Sequence, residues 1–272
     1  MSLRKPRTIA ALAALLALGG GGLVAGLESE PAPRVERVGS AASVAPATRL
    51  TRNARRAAAR AAHPNGVAEL PAFVERDAAE VRERIAQVGA GTYIGEIVDE
   101  RDSSLARWPD RTAAPLRVWV QHPAALDGWD PEFAVEVRRA FAQWQQVGLP
   151  VHFSFVPDSA SADVHVVWID HFAEPISGRT LWARDDQWWI VGADITVALR
   201  HAAPGDSTGR AAALDADAVR AIALHEVGHL LGLDHTTDVT NIMTPRVRAR
   251  ALSAADVATA RLLYTLPPGS VR

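Results

Sequence analysis

The chain has 272 residues, 48% of them hydrophobic, with 29 Lys and Arg against 31 Asp and Glu. That is enough apolar material for one domain of ordinary size after a leader and a linker are set aside, and a net charge of −2 offers nucleic acid no electrostatic footprint. There is no cysteine, which excludes disulfides, thiolate metal ligands, a cysteine lipid anchor and any cysteine-based latency device.

Residues 1–27 carry Arg4, Lys5 and Arg7, then an unbroken apolar run over 9–18, then Leu23-Val24-Ala25-Gly26. This is the three-part plan of a secretory signal, with a cut after Ala25, so export to the periplasm or the exterior is expected. The whole run over 9–27 is barely long enough to span a bilayer, which leaves an uncleaved N-terminal membrane tether as the second reading. Residues 28–66 are Ala, Pro, Arg and Ser with almost no large apolar side chain, the composition of a disordered linker. Residues 67–112 read as an N-terminal extension or a pro-segment. Within them 71–88 is expected to be helical, with Phe73, Val81, Ile85 and Val88 apolar, and 92–98 to be a short strand.

From residue 113 the signals sharpen. Residues 116–121 alternate as a strand. Asp130, Pro131 and Glu132 are an N-cap, a first-turn proline and a first-turn acid, and Gly148 ends the helix they open. Phe133, Val137, Ala140, Phe141, Trp144 and Val147 form its apolar stripe. Strands are expected over 151–156, 164–169, 176–183 and 188–199, and a loop over 205–209. Asp215 or Asp217 caps a helix that is apolar nearly all round, and such a helix belongs in the interior. Leu252-Ser253 opens a last helix through Tyr264, ended by Pro267-Pro268.

The interior helix carries His225, Glu226, His229, Gly232 and His235 in the pattern H-E-x-x-H-x-x-G-x-x-H. Residues four apart share a helix face, so the imidazoles of His225 and His229 can meet on one ion. Gly232 can take the left-handed conformation that turns the chain back and brings up His235. Three neutral nitrogen ligands with a fourth position open describe a catalytic zinc site, and Glu226, beside the first ligand, is placed as a base.

This pattern, with Met243 following it, resembles the metzincin zinc peptidases and within them the matrixin branch, over roughly residues 115–264. Ala162-Asp163-Val164, Thr237-Asp238, and Leu252-Ser253 with Asp256 and Tyr264 resemble further matrixin segments. The resemblance implies an α+β, metzincin-like zincin fold for residues 113–272. It comprises a mixed twisted sheet of four to five strands, two long helices, and a small C-terminal subdomain with a methionine turn and a last helix. It also implies a monomeric zinc endopeptidase with one catalytic zinc on His225, His229 and His235, Glu226 as general base, and Gly232 and Met243 supporting the site.

Departures from the family pattern bear on regulation. There is no Pro-Arg-Cys-Gly latency motif, Thr244 and Pro245 stand where other metzincins place a tyrosine, and no trailing accessory domain is expected. Residues 170–189 lack the histidine set of a second zinc. Asp170, His171, Asp185 and Asp186 are left as weak metal candidates, and calcium is unsupported. His63, His122, His152, His165, His171 and His201 fit no ligand spacing. Asp234 is expected as an exposed turn carboxylate, with orientation of a ligand as the alternative. A protein or peptide substrate would lie extended along residues 178–183, near Trp182, unless that strand is core and the Trp buried. Two other functions remain open: a non-catalytic, zinc-stabilised binding protein, against which the intact Glu226 argues, and a zinc hydrolase of a non-peptide amide.

Overall fold

The computed structural model describes residues 34–38, 77–123, 125–201 and 211–272. The leader, most of the expected linker, Phe73 and the 205–209 loop lie outside them.

Branched and aromatic residues build a six-stranded mixed sheet in the order β1 (Arg34–Val38), β6 (Gly178–Arg184), β7 (Ile190–Ala198), β5 (Val164–Ile169), β3 (Arg111–Val120) and β4 (Val151–Phe155). The strands β4, β3, β5 and β7 run parallel to one another, whereas β6 is antiparallel to β7 and β1 antiparallel to β6. Short ladders join β2 (Ser104–Leu105) to β10 (Gly269–Ser270) and β8 (Arg200–His201) to β9 (Ala212–Ala213). The strand expected over 116–121 begins earlier, at Arg111, with a register irregularity between Arg111 and Leu116.

Two long helices pack against each other and the sheet. α3 (Pro131–Gln145) starts where its local signals place it: the Asp130 side chain accepts the Glu132 N–H, and Gly148 turns the chain at φ +78. Its predicted stripe is buried, and Trp144 donates its indole N–H to the Leu224 carbonyl of α4 (Ala216–Leu230) at 2.8 Å. Asp215, not Asp217, caps α4, through the Ala218 N–H. Residues Ala221 to Leu230 of α4 are all buried, as a helix without a polar face requires. The last helix, α5 (Ala254–Thr265), opens with a capping box between Ser253 and Asp256.

One expectation for the N-terminal half needs correction. Residues 92–98 are not a strand: α2 (Ile94–Glu100) is a helix. Tyr93, Ile94 and Ile97 are buried at helical spacing, and the Tyr93 N–H and hydroxyl bond Thr259 and Asp256 of α5, so tertiary contacts override the branched residues' strand preference. The helix expected over 71–88 is described as α1 (Ala78–Val88), capped by Asp77; Val81 is buried, while Val88 stands 50% exposed. Within the expected linker, the backbone of β1 runs along β6 from Arg34 opposite Arg184 to Val38 opposite Thr180.

Residues 77–110 are tied to the rest of the core by side chains as well as by the β2–β10 ladder. Trp108, fully buried, donates to the Leu230 carbonyl, and Arg107 donates to the Leu266 carbonyl. No helix among the described residues is long and apolar enough to cross a membrane.

Candidate metal centre

His225 and His229 lie one turn apart on α4, and both are buried. The helix ends at Leu230, and Gly232 follows at φ +98, a conformation that non-glycine residues rarely adopt. A side chain there would also run into the Ala106 carbonyl oxygen. The turn it makes delivers His235 beside the other two rings. The Nε2 atom of His229 lies 3.0 Å from that of His225 and 3.3 Å from that of His235.

Hydrogen bonds on the far side of two rings fix what those nitrogens present. The Nδ1 of His225 contacts the Ile242 carbonyl at 2.8 Å, and that of His229 contacts the Leu233 carbonyl at 3.0 Å. A carbonyl only accepts, so each Nδ1 carries the proton and each Nε2 turns a lone pair inward. Burial, reinforced by the neighbouring His235, pushes His225 down to about 4. Burial and the neighbouring imidazoles push His229 well below its usual range, and burial lowers His235 against the opposing pull of Asp234. These are neutral imidazoles at physiological pH, the ligand form.

The donor set fits zinc. Tetrahedral Zn–N bonds of about 2.0–2.1 Å imply nitrogen separations of about 3.3 Å, close to those found. Among the described residues, His225, His229 and His235 are the metal-capable group of three, their ligand atoms within 4.8 Å of one another. Inward lone pairs at this distance repel one another unless a cation sits among them.

Glu226 is buried beside them. The Thr180 hydroxyl, on β6, contacts the Glu226 side-chain oxygen Oε2 at 2.6 Å and its backbone carbonyl at 3.0 Å. Gly178 leaves room for the carboxyl, since a Cβ there would collide with Oε1. In the metal-free protein, burial raises the Glu226 carboxyl to about 8, with the Thr180 bond and Arg179 pulling the other way.

A family model for matrixins matches residues 122–265. The chain belongs to the matrixin family. Metalloendoproteinase 1 of Glycine max is 25% identical over 160 residues, covering 51% of this chain and 48% of the relative. Metalloendoproteinase 1-MMP of Arabidopsis thaliana is 32% identical over 148 residues, covering 47% of this chain and 36% of the relative. This matrixin therefore spans about half or less of the length of the curated relatives it matches.

The matrixin site has a built floor. Met243 is fully buried, and its sulfur packs where a Cβ on Gly228 would be, on the helix between the two histidines. The segment leading to it is pinned from α5: Asp256 accepts the N–H groups of Ile242 and Ser253 and the Tyr93 hydroxyl. Because the Ile242 carbonyl also meets His225, the buried Asp256 carboxylate steadies that imidazole through one residue.

Other candidates fall differently. Asp234 is not an exposed turn carboxylate: it is 3% exposed and paired with Arg101 at 2.8 Å, while its Oδ1 accepts the His235 N–H. Trp182 is 1% exposed, the core reading of that side chain. Asp170 pairs with Arg200 and His171, and Asp185 accepts the N–H groups of Gln187 and Trp189. His165 faces Asp194, and His201 contacts Ser177. Sequence reasoning missed Gly178, Thr180, Gly228 and Arg101. Only Gly228 left a signal, being a glycine in a helix interior, where it costs about 1 kcal/mol unless something needs the space.

Proposed function

We propose that this matrixin is an exported, zinc-dependent endopeptidase, with His225, His229 and His235 holding the ion and Glu226 as general base. The observation that carries the reading is the convergence of three neutral imidazole lone pairs beside one buried carboxyl group. The printed names of both plant relatives, metalloendoproteinases, support the same class.

Zinc bound there supplies positive charge that acidifies a water, polarises an amide carbonyl and favours the ionised form of a neighbouring carboxyl. Glu226 would accept the proton of the attacking water and return it to the leaving nitrogen, so no nucleophilic side chain would be needed. The Thr180 hydroxyl holds one carboxyl oxygen, and Gly178 leaves the other unobstructed. The Ile242 and Leu233 carbonyls keep two ligands in the tautomer that points Nε2 inward. Substrate would lie extended along the backbone edge of β6, without using the Trp182 side chain, which is core. The antiparallel pairing of β1 there supports an edge able to take an added strand, and it means that residues 34–38 and substrate compete for it. The leader pattern of residues 1–27 supports export.

The test is metal analysis of the purified chain coupled to cleavage of an unfolded protein. One zinc per chain, with cleavage abolished by a chelator and restored by zinc, is expected. A zinc-loaded protein that cleaves nothing in a diverse peptide library would replace this reading with the zinc-stabilised binding protein.

A further inference from the structure

The turn that joins the second ligand to the third is held from outside the matrixin-matching segment. Arg101, at the end of α2, lies 131 residues before Gly232, and its side chain is only 7% exposed. Its guanidinium makes three bonds in three directions. Nη1 donates to the Gly232 carbonyl at 2.7 Å, Nη2 to the Leu233 carbonyl at 2.8 Å, and Nε to Asp234 Oδ2 at 2.8 Å. The group also sits 5.3 Å from the centre of the Trp182 ring, which backs it.

Two of those acceptors are the ones that orient the ligands. The Leu233 carbonyl takes the Nδ1–H of His229, and the other oxygen of Asp234 takes the backbone N–H of His235. One planar cation thus fixes an acceptor behind the second ligand and the backbone that launches the third, touching neither ring. Glu96, on the same helix, holds the other side of His235 through the Thr236 hydroxyl and the Thr237 N–H. Carbonyls just past a helix end have no intrahelical donor, so without Arg101 those of Gly232 and Leu233 would lose charge-assisted partners in a buried place.

We infer that Arg101 is a positioning residue for the metal ligands His229 and His235. The inference rests on these histidines binding the metal, and its test does not require peptidase activity. Only arginine offers a rigid fork matched to three acceptors; lysine keeps the charge against Asp234 but not the fork.

The experiment compares full-length wild type, Arg101→Gln and Arg101→Lys with Val164→Ala, a truncation at a fully buried position in β5. Zinc affinity is measured by chelator competition under conditions where all four are folded. Arg101→Gln is expected to lose about 10–100-fold, Arg101→Lys less, and Val164→Ala under about twofold. In the metal-free proteins, long-range nitrogen–proton spectra of the imidazoles report tautomers. Wild-type His229 is expected as a single Nδ1–H tautomer, and Arg101→Gln as a mixture. If Arg101→Gln does not fold, Arg101→Lys carries both readouts, with the same direction of change required. Wild-type zinc affinity together with an unchanged His229 tautomer in the Arg101 variants would overturn the inference. Failure of the wild type to bind zinc would count against the peptidase reading instead, and the tautomer comparison would still decide the role of Arg101.

Discussion

Replacing Gly228 with Ala tests whether the floor beneath the three histidines is built by close approach. A Cβ at 228 would meet the Met243 sulfur, with its Cε at 3.1 Å and the Trp144 ring at 3.2 Å, in a region where both side chains are buried. Overpacking of this kind costs about 1–3 kcal/mol, and removing a helix-interior glycine returns about 1 kcal/mol. The net expectation for Gly228→Ala is a loss of about 0–2 kcal/mol, which alone is weak evidence. Met243→Ala should cost about 2–5 kcal/mol and vacate the contested space. In that background only the 3.2 Å approach to the Trp144 ring remains, and the ring can yield into the vacated space, so Gly228→Ala should keep most of its helix-propensity gain of about 1 kcal/mol. The two sites should therefore couple by about 1–3 kcal/mol, above the 0.3–0.5 or so expected of independent positions. Urea unfolding of the four metal-free proteins measures this. Additive effects would refute the claim that Gly228 exists to admit Met243.

Two further outcomes follow from the geometry. Burial alone would lower His165, but the Asp194 carboxylate 3.2 Å away and the Ser159 carbonyl raise it on balance. A folded-state value above the unfolded one stabilises fully below about pH 6.5 and is lost as pH rises through the raised value. The melting-temperature gap between wild type and His165→Gln should therefore be wider at about pH 5.5 than at about pH 8.5, and a constant gap would count against it. The β1 strand pairs with β6 opposite residues 180–184, beside the Thr180 that holds Glu226. Proline lacks the N–H an edge ladder needs, and alternate residues donate, so Glu36→Pro with Arg37→Pro removes a donor in either phase. Faster turnover at low substrate, with kcat unchanged, is expected; an unaltered KM would show that β1 does not compete.

The legible parts of this protein were those specified locally. Asp130, Pro131, the buried stripe and Gly148 define α3 within one continuous stretch, and the spacing of His225, His229, Gly232 and His235 is enough to bring three imidazoles together on one helix and one turn. What was not legible depends on partners distant in sequence. Asp234 looks like an ordinary turn acid until Arg101, 133 residues earlier, is beside it. Thr180 reaches Glu226 across 46 residues, and no pattern within β6 announces it. Tyr93, Ile94 and Ile97 fit a strand or a helix equally in so short a run, and Thr259 and Asp256 on α5 decide between them. The polar composition around 34–38 gave no hint of a strand, because edge pairing uses backbone groups that every residue has.

The most direct test of the central claim is turnover of an unfolded protein by zinc-loaded wild type and zinc-loaded Glu226→Gln, with metal content measured in both. Glutamine keeps the shape of the side chain and removes its basicity. Equal zinc in the two proteins and cleavage lower by about 10²–10⁴-fold in the variant are expected. Undiminished cleavage by Glu226→Gln would contradict the claim.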